Sequence, residues 1–456
     1  MEALPYRFRG LAGRFTYGFD DRYFAEFNFG YNGSENFTPK NRYGFFPSVG
    51  LGWVISNESF FEPLTNVIQY LKVRGTWGQV GNSQISGRRF AYLATVTDSS
   101  STSYTFGKTM DQNYGTTAID EYAVDVTWEV ADKTDIGVDM RLLNNKLNLQ
   151  FDYFKESREG IYLRRSSIPS YVGMINNPYG NIGKVENKGF ELSVNYANSW
   201  GGDWSLSLMG NYSFNRNKVL EDDSTVVYPW QNTIGNKVGQ RFGLVALGLF
   251  ESYGEIAASP VQTGDTRPGD IKYKDINGDG KIDEYDKVPI GWGSVPEIMY
   301  GFGFSVGWKN LSLTAMFQGA AHVDAMLSGE GVLPFSQGSS RGNLLSNITD
   351  RWTEENPRQN AFYPRLSIGN INMNYEESTW WLKDTDYLRL KNIELSYRLP
   401  DHWMKRIHLD NARIFIQGVN LLTFSSFKIW DVELGDGRGA RYPNIASVSL
   451  GVNFNF

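Results

Sequence analysis

The feature that most constrains this chain is a two-residue alternation of apolar and polar side chains that recurs from one end to the other. Residues 147–153 set Leu147, Leu149, Phe151 and Tyr153 on one side and Asn148, Gln150 and Asp152 on the other. Residues 190–196 set Phe190, Leu192, Val194 and Tyr196 against Glu191, Ser193 and Asn195. Trp204, Leu206, Leu208, Tyr212 and Phe214 oppose Ser205, Ser207, Asn211, Ser213 and Asn215, and Val448, Leu450, Val452, Phe454 and Phe456 oppose Ser447, Ser449, Gly451, Asn453 and Asn455. Successive side chains of an extended strand point to opposite faces, so this period predicts strands that are greasy on one side and wet on the other. The pattern predicts thirteen of them: 8–19, 22–33, 43–55, 69–80, 129–142, 146–157, 187–198, 203–215, 297–308, 310–321, 386–399, 411–424 and 446–456. Composition agrees, with aromatics at 15% of the chain and 48 Gly, as expected of an all-β protein.

Charge and residue usage exclude several classes. The 44 Lys+Arg against 50 Asp+Glu give a net charge of −6, which argues against a dedicated nucleic-acid binder. Without Cys there is no disulfide scaffold, thiolate zinc site or Cys nucleophile. His322, His402 and His408 are poorly spaced for a metal site or a catalytic triad. No apolar run reaches the ~18–20 residues of a transmembrane helix, which excludes helical spans but not a membrane β-barrel. The stretch Met1 to Pro5 lacks the basic and apolar regions of a signal peptide. Either the protein is not exported or its natural start lies elsewhere.

Strand pattern alone does not separate a soluble sandwich from an outer-membrane barrel. The connections do. Tight turns at Asp20 and Asp21, Asn144 and Asn145, Ser199 to Gly202, and Lys309 belong with the middling 56–68 and 400–410. They interleave with the loops 81–128, 158–186, 216–296, 322–385 and 425–445, with 34–42 as the one short member of that set. Short and long connections alternate in a barrel with short periplasmic turns and long extracellular loops. A sandwich has no reason to keep that parity over thirteen strands. The parity also sets direction: the last strand runs inward and Phe456 ends on the periplasmic side. Aromatics gather at strand ends (Tyr17, Phe19, Tyr23, Phe45, Phe46, Trp53, Tyr153, Phe154, Trp200, Trp204, Trp308), as in interfacial girdles. The expected fold is therefore an all-β transmembrane antiparallel barrel spanning residues 1–456.

Residues 275–286 (DINGDGKIDEYD) match a twelve-residue calcium loop by position. Asp275, Asn277 and Asp279 take positions 1, 3 and 5, Gly280 the sharp turn, Lys281 the carbonyl position 7, Asp283 position 9 and Asp286 position 12. Carboxylates this dense repel one another unless a hard cation sits among them. Two departures are plain: Asp stands where a bidentate Glu is usual, and no amphipathic helices flank the loop. The alternatives are a structural Ca²⁺ clip, with affinity on the order of 10⁻⁴–10⁻³ M, and a turn whose side chains cap its own backbone.

With this loop the chain resembles a known family. Residues 268–283 (PGDIKYKDINGDGKID), 286–291 (DKVPIG) and 296–304 (PEIMYGFGF) resemble the SusC/RagA family of TonB-linked outer-membrane transporters. So do 183–192 (GKVENKGFEL), 238–243 (VGQRFG), 248–252 (GLFES), 420–425 (NLLTFS) and the Phe-ending last strand. The resemblance covers essentially the whole chain. It implies a 22-stranded barrel with an N-terminal plug, uptake of oligosaccharides or peptides powered by TonB, and a SusD-like surface lipoprotein over the mouth. No plug, TonB box or signal peptide is recognised here, so the chain reads as the C-terminal part of a longer protein. Two open sheet edges would then face lipid, where each unpaired backbone group costs several kcal/mol.

A transporter needs contacts rather than catalysis. Trp230, Trp292, Trp380, Trp381 and Trp430 are candidates for stacking on sugar faces or for touching the lipoprotein; any single one reads first as a loop-packing or interface residue. A β-rich glycan hydrolase is the competing reading, with Asp431, Glu433 and Asp436 as its acid–base candidates; the alternative is that they form a solvated loop next to Arg438 and Arg441. A soluble glycan-binding β protein is the third. Gly301 and Gly303 make no dinucleotide motif, having no strand–turn–helix unit around them.

Overall fold

A computed structural model describes residues 6–85, 88–110, 112–174, 176–336, 344–406 and 409–455. Thirteen strands form one antiparallel sheet in which every strand pairs with its neighbours in sequence order. They are β1 (Phe8–Phe19), β2 (Tyr23–Ser34), β3 (Tyr43–Val54), β4 (Ile68–Asn82), β5 (Glu129–Leu142), β6 (Leu147–Arg164), β7 (Tyr179–Trp200), β8 (Trp204–Glu221), β9 (Ile298–Trp308), β10 (Leu311–Ala321), β11 (Tyr387–Arg398), β12 (Asn411–Ser425) and β13 (Ser447–Asn455). Among the described residues β1 and β13 each have one neighbour only. Among the described residues no helix is long and apolar enough to cross a membrane. Phe456 and His408 lie outside the described residues.

All thirteen expected strands are present, and three run well past their expected limits. β6 continues to Arg164, β7 begins at Tyr179 and β8 ends at Glu221. The expected loop 158–186 therefore narrows to 165–178, and 216–296 begins only at 222. The reason is packing beyond the alternating stretch. Tyr162 pairs across to Asn181, stacks on Tyr179 at 5.0 Å and is buried with Phe37, Ile85, Ala91 and Val126. The alternation-based limits stop where the outward face ceases to be apolar, while the ladder itself carries on.

The apolar face of this sheet is uncovered. Phe15 (66%), Leu51 (62%) and Leu450 (78%) stand open, and Phe151, Tyr153, Leu208 and Phe302 are exposed beside them. Among the described residues no second sheet packs on that face, so the sandwich reading falls. Such a surface is stable only in hydrocarbon. The other face is polar and internally paired. Arg14 meets Glu26 at 2.6 Å, Arg413 meets Glu394 at 2.8 Å, and Arg74 gathers Asp135 (2.9 Å), Asp139 (3.5 Å) and Asp152.

The tight turns follow from residues that accept positive φ. Asp20 and Asp21 (φ 55° and 49°), Asn144 and Asn145 (57° and 62°) and Gly201 and Gly202 (56° and 75°) close three of them. These turns lie at one end of the sheet and all the long loops at the other.

Candidate functional site

At the long-loop end, segments from 222–297, 322–386 and 426–446 fold into one body with its own core. Leu244, Leu249, Ile271, Tyr273, Ile282 and Ile290 of the first meet Met326, Leu327, Trp352, Tyr363 and Trp381 of the second and Phe427 and Val432 of the third. Short strand pairs set this up locally. Ala246–Leu249 pairs with Ile271–Tyr273, Arg241–Gly243 with Val288–Ile290, and Asp324–Met326 with Leu382–Asp384. Each aims alternate apolar residues at the centre.

A buried polar knot locks the first two segments together. The Asp270 carboxylate accepts from Arg365 Nε (2.9 Å), Asn374 Nδ2 (2.8 Å) and Asn372 Nδ2 (3.1 Å), and Asn374 Oδ1 accepts from the Ile271 N–H at 2.9 Å. With every partner present, the buried charge is compensated. Burial drives the Tyr273 hydroxyl well above its ordinary pKa and pulls the Lys383 ammonium below its own. Lys383 Nζ donates to the Trp380 carbonyl at 2.7 Å.

The five candidate tryptophans separate by position. Trp381 is 1% exposed and donates Nε1 to the Asn374 carbonyl at 2.7 Å, so its ring faces belong to the core. Trp380 and Trp430 are half-buried on the flank of the same core. Trp230 lies over Tyr228 with ring centres 4.6 Å apart and planes 8° apart, its Nε1 donating to the Tyr285 carbonyl at 2.8 Å. Trp292 is exposed and stacks on His322 at 4.0 Å. The five do not form one platform.

In the 275–286 loop the four aspartate carboxylates accept from backbone N–H groups, while Glu284 pairs with the Lys287 ammonium at 2.9 Å. Asp275 takes Gly278 (2.7 Å) and Gly280 (2.9 Å), Asp279 takes Lys281 (2.9 Å), and Asp283 takes Tyr285 (2.8 Å). Asp286, fully buried, takes Ile276 (2.7 Å) and Asp283 (2.9 Å). Asn277 Oδ1 takes the Asp279 N–H at 3.0 Å. Among the described residues no three acidic or histidine side chains converge closely enough to hold a metal ion.

The acids considered for hydrolysis are each engaged. Asp431 accepts from Arg389 at 2.8 Å, and Glu433 meets Arg389 at 2.7 Å and accepts from the Tyr387 hydroxyl at 3.0 Å. Asp436 accepts from Arg241 at 2.6 Å and from the Met326 N–H at 2.8 Å. Burial alone would raise Asp431, but hydrogen bonds from Arg389 and the Glu433 N–H outweigh it and hold it below the usual carboxylate value. Glycoside hydrolysis instead needs one carboxyl kept protonated near neutrality. Sequence reasoning missed Arg389, although an arginine between Leu388 and Leu390 in a strand is a visible signal of a buried ion pair.

Comparison with known proteins agrees with this architecture. The family described as "TonB dependent receptor-like, beta-barrel" matches residues 6–421. This chain belongs to that family. Its place is the outer membrane, where its uncovered apolar face meets lipid. It is similar to the TonB-dependent receptor P3 of Formosa agariphila, 28% identical over 97% of this chain and 45% of that protein. It is similar to the TonB-dependent receptor SusC of Bacteroides thetaiotaomicron, 27% identical over 97% of this chain and 43% of that protein. The fold matches the RagAB peptide transporter with a TM-score of 0.74 at 23% identity, over 99% of this chain and 48% of that one. The chain thus spans about half the length of the curated relatives it matches, and its thirteen strands are part of a SusC/RagA-like barrel.

Proposed function

We propose that this chain supplies about half the wall and much of the extracellular mouth of a TonB-powered importer of oligosaccharides or peptides that works with a SusD-like surface lipoprotein. TonB would engage through a part of the protein outside this chain. One observation carries the reading: a polar sheet face leads into a mouth whose three loops are fused by a shared core, while the opposite face is bare apolar surface. A wall of this kind lines a conduit, and a rigid mouth is a place to hold a solute or seat a partner. The Tyr228–Trp230 stack is the part of the mouth proposed to meet substrate, because flat paired rings bind sugar faces and peptide side chains alike.

The test is growth of a strain whose only copy of the full-length gene carries Trp230→Ala. Oligosaccharide and peptide pools are offered separately as sole carbon source. Loss of uptake on one pool with normal surface levels of the protein supports the reading and names the class. Unimpaired uptake of both pools by a complete gene deletion would sink it.

The 275–286 loop is proposed as a calcium clip on the strength of its residue order. Calcium would have to draw Asp275, Asp279 and Asp283 together from their backbone donors. Calorimetric titration with millimolar Ca²⁺ should release or absorb heat that Asp279→Ala abolishes; a flat trace returns the loop to a self-capped turn.

A further inference from the structure

The strand register exposes a pattern that no single strand shows. On the outward, apolar face Tyr153, Phe190 and Phe214 are direct cross-strand neighbours on β6, β7 and β8. One pleat nearer the long loops, the same three strands place Lys155 opposite Lys188 and Lys188 opposite Arg216. The change from aromatic to cation therefore happens at one level on three adjacent strands. It falls at the extracellular limit of the apolar band, where lipid hydrocarbon gives way to headgroups.

Like charges directly opposite one another on a sheet destabilise it, so a row of three requires an answer. Two carboxylates give part of one. Glu186 meets Lys155 at 2.8 Å and Lys188 at 3.6 Å, and Glu297 meets Arg216 at 2.7 Å and Lys237 at 3.1 Å. Each carboxylate is shared between two cations, so positive charge is left over. The side chains of Lys155, Lys188 and Arg216 stay 50%, 57% and 48% exposed. The Arg216 guanidinium lies 5.5 Å over Phe214 and 6.0 Å from Trp292, which brings an exposed indole to the end of the row. An amphipathic ring beside cations at this depth is an interfacial anchor.

We infer that Lys155, Lys188 and Arg216 form a binding row for the phosphate of an anionic glycolipid headgroup in the outer leaflet, with Trp292 packing beside it. Charge complementarity selects this occupant. The face is turned to lipid rather than to the conduit, and phosphates are the dense negative charge at headgroup level.

The test uses the full-length protein extracted in mild detergent from its own outer membrane, with bound lipid measured by native mass spectrometry. Retention of phosphorylated glycolipid should fall roughly thirtyfold in the Lys155→Gln/Lys188→Gln variant. It should persist in Lys155→Arg/Lys188→Arg and in the loop control Lys428→Gln. Wild-type protein in nanodiscs should bind lipid A but not its dephosphorylated form, and millimolar inorganic phosphate should not displace it. Equal retention by the Gln variant, equal binding of dephosphorylated lipid, or displacement by free phosphate would each overturn the inference. None of these readouts depends on transport, so a failed importer reading leaves this one standing or falling separately.

Discussion

At the scale of single residues the loop body is held by a few buried groups. Trp381 fills the centre of its core, and Trp381→Ala should cost about 3–5 kcal/mol of local stability. Hydrogen exchange should show faster opening of 222–297 and 322–386, with protection of β5 to β8 unchanged. Arg389 holds Asp431 and Glu433, and the sign of its pH dependence follows from Asp431. Its folded pKa lies below the unfolded one. The stability it contributes is thus complete above the ordinary carboxylate value and is lost as pH falls through the lower folded value. Proteolytic sensitivity of 426–446 should rise only below about pH 4. Arg389→Ala should show that sensitivity already at neutral pH, because two carboxylates lose their partner.

At the scale of elements the two faces of one strand sit in different solvents. Phe151 and Gln150 are adjacent on β6 and point to opposite sides. Phe151→Arg places a charge in hydrocarbon and should destabilise the folded barrel by about 2–4 kcal/mol. Gln150→Arg, on the face that carries Arg74 and Asp152, should cost far less. Urea unfolding of the full-length protein in vesicles compares the two; equal losses would contradict the assignment of the faces. The connections obey a similar division. Turns closed by Asp, Asn and Gly stay short at one end, while the other end can grow loops because water and a shared core satisfy their backbone.

At the scale of the whole molecule the open edges dominate. β1 and β13 each leave a row of backbone donors and acceptors without a strand partner among the described residues. In lipid that arrangement is unfavourable by several kcal/mol per unpaired group. Expressed by itself, residues 1–456 should not give the heat-modifiable gel mobility of an inserted barrel. A heat-modifiable, protease-resistant band from this chain alone would show that the edges close by some other pairing. The loop body does not share the constraint, since the buried cluster that holds it is built from this chain's own residues.

The sequence by itself determined the thirteen strands, which face of each is apolar, and the parity of their connections. All of these follow from a period of two and from turn residues, which are local properties of the backbone. Its limits appear at Tyr162 and Asn181, where the ladder continues past the end of the alternation because residues far apart in the chain bury one another. Only tertiary structure decided that Trp381 is core while Trp230 and Trp292 are not, and that Asp431 and Glu433 belong to Arg389. It alone aligned Lys155, Lys188 and Arg216. Each of these depends on register or on segments well separated in the chain that fold against one another, and no local pattern encodes such pairings.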